Sequence, residues 1–222
     1  MNIRANNAAP RAYIVCGEGR LDIELALKDR REGDMLIAAD SGANRLLACG
    51  FVPDVIVGDM DSVHSEVLER LRGQTVLQTH PVDKDYTDAE LALRLAAQRG
   101  AAEAILLNDL GGRFDQALGV VALLFVARQL GMAAHVRGSR QRAWLVQGRW
   151  SQRVQPGTVV SLLPWSDRVN VRCTQGLRWA LQEETLHRAA TRGISNVATD
   201  EEVLVELTGG DLLVVLTPKE FT

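Results

Sequence analysis

The sequence predicts an α/β fold: a mostly parallel sheet flanked by helices, followed by a small antiparallel β-sandwich. Three observations carry that expectation. Short apolar runs without polar alternation recur through the first 139 residues, as expected of strands covered on both faces. Helix-like patterns separate them, and strand–helix alternation of this kind builds a parallel sheet with helices on both sides. After residue 139 the helical patterns stop, and short strand-like runs alternate with turns. The expected division is an α/β domain over residues 1–139 and a β domain over residues 140–222.

In chain order, the expected strands of the first part are Ala12–Cys16, Met35–Ala39, Val55–Val57, Thr75–Thr79, Ala104–Leu107 and Ala133–Val136. The helices between them are Leu21–Lys28, Ala43–Cys49, Ser65–Arg72, Asp88–Arg99 and Phe114–Leu130. One helix start is marked by a capping box, with Thr87 as the cap and Glu90 reaching back to it. Helix Phe114–Leu130 is apolar almost all round, which places it against the centre of the sheet. In the second part the strands are Ala143–Val146, Thr158–Leu163, Val169–Cys173, Val203–Leu207 and Leu212–Leu216. Pro156-Gly157 reads as a turn, and Gly209-Gly210 as the turn of a hairpin.

Composition narrows the function. The 222 residues carry 25 Lys and Arg against 28 Asp and Glu, with 46% hydrophobic residues. These values exclude a disordered chain, a collagen-like fibre and a strongly basic nucleic-acid binder. Cys16, Cys49 and Cys173 have neither disulfide nor zinc spacing and read as small buried apolar residues. The opening MNIRANNAAPRAYIVCG lacks the apolar stretch of a signal peptide. The longest apolar run, Ala117 to Ala127, is broken by Gly119 and falls far short of the roughly 20 residues that span a bilayer. A cytoplasmic protein with neither membrane nor nucleic-acid partners is expected.

The acid is unevenly placed. Nine of fifteen aspartates lie between Asp40 and Asp115, and they follow successive strands. Asp40 ends one strand; Asp59 and Asp61 follow the next; Asp83, Asp85 and Asp88 follow another; Asp109 follows a fourth. In an open parallel sheet the carboxyl ends of the strands share one edge, where ligands bind. Carboxylates gathered there repel one another and raise their own pKa values. A hard cation removes that difficulty, and Mg²⁺ is usually held by one or two carboxylates plus substrate phosphates. The pattern therefore points to Mg²⁺ with a nucleotide polyphosphate. No GxxxxGK[ST] loop is present, so this is not a P-loop enzyme.

Each segment also has a plainer reading. Gly58-Asp59-Met60-Asp61-Ser62 puts two carboxylates within reach of one ion, yet Asp and Ser also favour turns and helix entries. In Asp83-Lys84-Asp85-Tyr86-Thr87-Asp88, one of only three lysines sits between aspartates; the alternative is a solvated loop before a helix cap. Gly111-Gly112-Arg113-Phe114-Asp115 opens a helix whose N-terminus attracts anions, with Arg113 able to grip phosphate bidentately. Asp40-Ser41-Gly42-Ala43-Asn44 likewise opens a helix and reads equally as a tight turn. His64, His80, His135 and His187 show no metal-ligand spacing, and Trp144, Trp150 and Trp165 read as core.

Taken in order, ADSGANRLL at 39–47, PDVIVGDMDS at 53–62, DKDYTDAE at 83–90 and GGRFDQAL at 111–118 resemble the thiamine pyrophosphokinase family. The resemblance continues more weakly in TVVSLLP at 158–164, QGLRWAL at 175–181 and GISNVA at 193–198. It implies an ATP-binding catalytic domain over 1–139, a thiamine-binding β-sandwich over 140–222, and a homodimer with thiamine sites between subunits. It implies pyrophosphoryl transfer from ATP to thiamine, giving thiamine diphosphate and AMP. By motif match, Asp59, Asp61 and Asp88 are metal-associated, and Asp40, Asn44, Ser62, Arg113 and Asp115 line the nucleotide site. Trp179 matches the aromatic position that stacks on thiamine; Ser195 and Asn196 fall in the family's Ser-Asn segment; Lys84 borders the acceptor. Arg113 is expected to stabilise charge, and Asp85 or Asp115 to accept the hydroxyl proton. The chain departs from the family in Asp40-Ser41-Gly42, where Asp-Gly-Gly is common, and in Val197-Ala198 after the Ser-Asn pair.

Three other functions fit part of the pattern. A pyrophosphokinase for another acceptor, such as a hydroxymethylpterin, keeps the carboxylate site, but Trp179 and the β domain favour thiamine. A metal-dependent glycosyltransferase using Asp59-Met60-Asp61 leaves Asp83–Asp88 and Gly111–Asp115 without a task. A nucleotide or thiamine sensor retains the acidic cluster for binding alone.

Overall fold

The computed structural model describes residues 9–17 and 21–221, which form two compact units, Met1–Ser139 and Arg140–Thr222. Of the opening MNIRANNAAPRAYIVCG, expected to lack a signal peptide, the first eight residues lie outside the described residues.

The first unit holds β1 (Arg11–Cys16), α1 (Ile23–Leu27), β2 (Met35–Ala39), α2 (Gly42–Ala48), β3 (Val55–Gly58), α3 (Ser65–Leu71), β4 (Val76–Thr79), α4 (Asp88–Gln98), β5 (Glu103–Leu107), α5 (Phe114–Gln129) and β6 (Ala133–Arg137). Its strands lie parallel in the order β6-β5-β1-β2-β3-β4. Tyr13, Ile14, Ile37, Ile56, Ile105 and Leu106 are fully buried. A buried side chain of that size stabilises by about 1.5–3 kcal/mol, so the central strands anchor the unit. One core joins Tyr13, Val15, Leu36 and Ile56 to Leu27, Leu46 and Leu71 of α1 to α3. The opposite face of β1 to β3 is covered by α4.

Three local expectations change. Helix α5 packs on β6 and α4, so α4 rather than α5 covers the sheet centre. The long return from edge strand β4 to β5 carries α4 across the middle, which leaves α5 the β6 side. The Thr87 hydroxyl caps α4, accepting from Glu90 N at 3.3 Å. The Glu90 carboxylate turns forward to Arg94 at 2.7 Å instead of back to the cap. Arg94 is itself held 4.5 Å over the Tyr86 ring. Strand β4 is an edge strand whose Val76 and Leu77 are exposed, so it is not covered on both faces.

The second unit contains no α-helix among the described residues. Its strands are β7 (Arg142–Val146), β8 (Arg149–Arg153), β9 (Val159–Pro164), β10 (Arg168–Gln175), β11 (Gln182–His187), β12 (Asn196–Val197), β13 (Glu202–Gly209) and β14 (Leu212–Thr217). They form two layers, β12-β9-β14-β7 and β11-β10-β13-β8. Val160, Leu162 and Val214 of one layer meet Val169, Val171 and Val205 of the other in a shared core, with Trp144 and Trp150 packed against it. That is a sandwich.

Gly209-Gly210 is not a hairpin turn. Strand β13 pairs with β8 and β10, and β14 with β7 and β9, so the two glycines carry the chain from one layer to the other. Gly210 has φ +86°, and a Cβ there would stand 2.4 Å from the Arg168 carbonyl oxygen. Of the three cysteines, Cys16 is buried, Cys173 is intermediate and Cys49, at the surface end of α2, is exposed. No helix among the described residues is long and apolar enough to cross a membrane.

Candidate active site

Because β2 to β4 extend the sheet on one side of β1 and β5 on the other, the carboxyl ends of β1 and β5 open a crevice where the strand order reverses. Open α/β sheets bind ligands at such a point. A cleft of about 690 Å³ lies along this edge, lined by Gly17 after β1, Asp40 after β2, Ser62 after β3, Asp88 at the head of α4, and Gly112 and Arg113 before α5. Asn108, just after β5, ties the crevice together. Its Nδ2 donates to the Cys16 carbonyl at 2.7 Å, and its Oδ1 accepts from Leu110 N at 2.7 Å.

The backbone turns sharply after three of these strands. Asp40, Met60 and Leu110 have φ of +45°, +69° and +54°. Side-chain-bearing residues seldom hold that conformation, which costs about 1–3 kcal/mol each and clusters at functional sites. Here it aims the loops after β2, β3 and β5 into the cleft.

Register brings the acid together. Ala39 lies beside Val57, and Asp40 N donates to the Val57 carbonyl at 2.9 Å, so Asp40 stands against Gly58. One carboxylate oxygen from each of Asp40, Asp59 and Asp61 lies within 4.8 Å of the other two. Asp88 lies alongside from α4, because a Cβ built on Gly58 would be 3.1 Å from both Asp40 Cβ and Asp88 Cγ, though its oxygens fall outside that mutual set. Lys84 sits between: its ammonium is 2.9 Å from Asp88 Oδ1, as an ion pair outside hydrogen-bond geometry, and 3.3 Å from Asp59 Oδ2.

The electrostatics follow. Burial, with the charges of Asp88 and Asp59 nearby, raises Asp40 above its ordinary value, and the neighbouring Ser62 and Ser41 only partly offset this. Asp40 Oδ1 is buried without a hydrogen-bond partner. Asp59 is held low, first by the Asp61 N–H at 3.2 Å and then by Lys84. Burial alone would lower Lys84, but Asp88 and Asp59 outweigh it and raise it.

The remaining expected residues fall as follows. Asn44 faces the loop after β3: its Nδ2 donates to the Ser62 carbonyl and its Oδ1 accepts from His64 N, both at 2.9 Å. Ser62 lines the cleft, its hydroxyl donating to Asp61 at 2.8 Å. Arg113 pairs with Asp115 at 2.5 Å on the exposed start of α5, which draws Asp115 below its ordinary value. Asp85 is exposed on the loop before α4.

In the second unit Trp179 exposes 56% of its surface, unlike the packed Trp144 and Trp150. Asn196 is buried and grips the backbone of Trp179 from both sides. Its Oδ1 accepts from Trp179 N at 3.1 Å, and its Nδ2 donates to the Trp179 carbonyl at 2.7 Å. Ser195, with φ +61°, donates its N–H to Ser161 Oγ at 3.1 Å.

Sequence reasoning missed Asn108 and the part that Gly58 plays among the carboxylates. A polar residue directly after an apolar strand was the available signal for Asn108. Gly58 had none, because its neighbours Asp40 and Asp88 are distant in sequence.

Residues 30–135 match the thiamin pyrophosphokinase catalytic domain, and residues 149–212 the thiamin pyrophosphokinase vitamin B1 binding domain. Among curated proteins, thiamine pyrophosphokinase 1 of Oryza sativa subsp. japonica is 26% identical over 198 residues, covering 76% of this chain and 74% of that protein. Thiamine pyrophosphokinase of Bacillus subtilis is 24% identical over 168 residues, covering 74% and 78%. The solved structure of the B. subtilis protein shares the fold with a TM-score of 0.82 at 20% identity, over 94% of this chain and 99% of that one. Yeast thiamin pyrophosphokinase gives a TM-score of 0.78 at 16% identity, over 98% and 89%. Both halves of the sequence are matched, in order, by the two domains of one enzyme family, and the chain belongs to that family, the thiamin pyrophosphokinases.

Proposed function

We propose that this chain transfers the pyrophosphoryl group of ATP to the primary hydroxyl of thiamine, giving thiamine diphosphate and AMP. The observation that carries the reading is the convergence of Asp40, Asp59 and Asp61, with Asp40 and the neighbouring Ser62 lining the cleft. Carboxylate oxygens this close call for a cation. The donor set is all hard oxygen, which fits Mg²⁺. The orphaned Asp40 Oδ1 supports the fit, since a buried carboxylate oxygen without a partner is costly and a bound cation satisfies it. We therefore assign Mg²⁺ to Asp59 and Asp61 with Asp40 beside them, and Asp88 to the same ring across Lys84.

When bound, Mg²⁺ neutralises charge on the phosphate oxygens. The rest falls to the chain. Phosphoryl chemistry asks mainly for positioning and charge stabilisation. Gly111-Gly112 opens the N-terminus of α5 to the phosphates, and Arg113 is exposed there to grip non-bridging oxygens. Asn44 and Ser62 hold the loop that carries Asp59 and Asp61. Asp115 is already tied to Arg113, so we assign the hydroxyl proton to Asp85. Thiamine carries a permanent positive charge on an aromatic ring, and the exposed face of Trp179 suits it. Asn196 serves by holding Trp179 in place, with Ser195 beside it. We propose a cytoplasmic homodimer; light scattering tests the dimer.

The deciding experiment incubates the protein with ATP, Mg²⁺ and thiamine. Equal amounts of AMP and thiamine diphosphate are expected. AMP without a thiamine product moves the acceptor elsewhere, a hydroxymethylpterin being the first to try. Ligand binding without turnover makes the protein a sensor.

A further inference from the structure

The acidic ring contains a cation of the chain's own. We propose that Lys84 is a built-in counter-ion that bridges Asp59 and Asp88 in the metal-free protein and must release Asp59 when a divalent cation enters. The proposal rests on the assignment of the cation to Asp40, Asp59 and Asp61.

Three features lead there. Lys84 exposes only 14% of its side chain. Lysine is almost never withdrawn that far from water without a partner. Its ammonium has two, Asp88 Oδ1 at 2.9 Å and Asp59 Oδ2 at 3.3 Å. Next, both oxygens of Asp59 are engaged, Oδ1 by Asp61 N at 3.2 Å and Oδ2 by Lys84. A cation binding Asp59 therefore has to share or displace one of these, and a like charge is the partner it displaces. Finally, Asp88 lies against Gly58, on which Asp40 also packs, and its charge acts on Asp40. Without Lys84 its charge would meet Asp40 and Asp59 uncompensated. The lysine thus keeps the ring assembled and is freed on cation entry, beside the place where phosphate oxygens would arrive.

The test uses Mn²⁺ alone as the probe, with no nucleotide and no turnover. Lys84→Met keeps the length of the side chain and removes its charge. A unit charge roughly 6 Å from a dication in a water-like dielectric changes affinity about tenfold. Lys84→Met is therefore expected to bind Mn²⁺ about tenfold more tightly than wild type by calorimetry. It should also melt lower than wild type in EDTA, with the difference closing in saturating Mn²⁺. A purely structural lysine would leave that difference unchanged by metal. Should the variant fail to fold, the wild type answers alone. Amine labelling of Lys84, read by mass spectrometry against Lys28, should speed up several-fold when Mn²⁺ is added. Unchanged or weaker Mn²⁺ binding in Lys84→Met, or labelling of Lys84 that Mn²⁺ leaves unchanged or slows, overturns the proposal. If wild type itself binds no Mn²⁺, the cation assignment falls with it; if wild type binds and Lys84→Met gains nothing, this proposal alone falls.

Discussion

Substituting Gly58 by alanine probes the carboxylate ring without removing any of its charges. Gly58 ends β3 with φ +154°, a conformation that side-chain-bearing residues rarely adopt. Holding an alanine there costs about 1–3 kcal/mol. The new methyl would also stand 3.1 Å from Asp40 Cβ, 3.1 Å from Asp88 Cγ and 3.2 Å from Asp88 Oδ1, so each carboxylate must give by a few tenths of an ångström. With a backbone cost of about 1–3 kcal/mol, a protein of this size loses about 2–12 °C in melting temperature. The catalytic effect is separate from the loss of stability. Misplacement of about 1 Å costs about 100-fold in rate, so shifts of a few tenths on two sides of the ring should lower kcat about tenfold. Thermal melting, and steady-state rates at saturating ATP, Mg²⁺ and thiamine well below both transitions, measure the two effects. A Gly58→Ala protein that melts lower but turns over at the wild-type rate would refute the role given to the ring. One that melts like wild type would refute the packing around Gly58.

Further outcomes are expected elsewhere. Asp61→Asn should lower turnover by about 100-fold or more while moving the melting temperature by only a degree or two, because Asp61 is exposed; a wild-type rate in saturating Mg²⁺ removes Asp61 from the cation site. Trp179→Ala should raise the KM for thiamine at least several-fold and leave the KM for ATP nearly unchanged. Asn196→Ala should do the same through the backbone of Trp179, with a stability loss of about 1–3 kcal/mol for the buried groups it leaves unpaired; a raised KM for ATP in either variant would place Trp179 with the nucleotide instead. In acid, burial would raise Asp29, but Arg137, Tyr13 and Arg11 outweigh it and lower it to about 2. A carboxylate depressed on folding stabilises the protein above its unfolded pKa, near 4, and that stability is lost as pH falls toward 2. Chemical denaturation between pH 5 and pH 2 should therefore show a steeper loss in wild type than in Asp29→Asn, and parallel curves would count against the Arg137–Asp29 pair.

Much of the first unit was legible because its signals are local. A run such as AYIVC needs no partner to be read as a buried strand, and the Thr87 cap acts within one turn of its helix. The order of motifs along the chain likewise sufficed to place carboxylates at strand ends. The second unit was less legible. Strands β8 and β11, RWSQR and QEETLH, lie largely exposed and carry little apolar periodicity. Gly209-Gly210 has the composition of a hairpin turn, yet it joins two layers, because the partners of β13 and β14 are chosen by packing across the sandwich.

The residue types of the site, its placement after successive parallel strands, and the family itself are properties of the sequence, since each depends on neighbours a few positions away or on their linear order. Which carboxylates share one point is not. The pairing of Ala39 with Val57 swings Asp40 against Gly58 and next to Asp59, and the return of α4 across the sheet brings Lys84 and Asp88 to the same place. The grip of Asn196 on Trp179 likewise exists only once two loops of the sandwich meet. Charges interact through space rather than along the chain, so which of them became neighbours was decided by strand order and register.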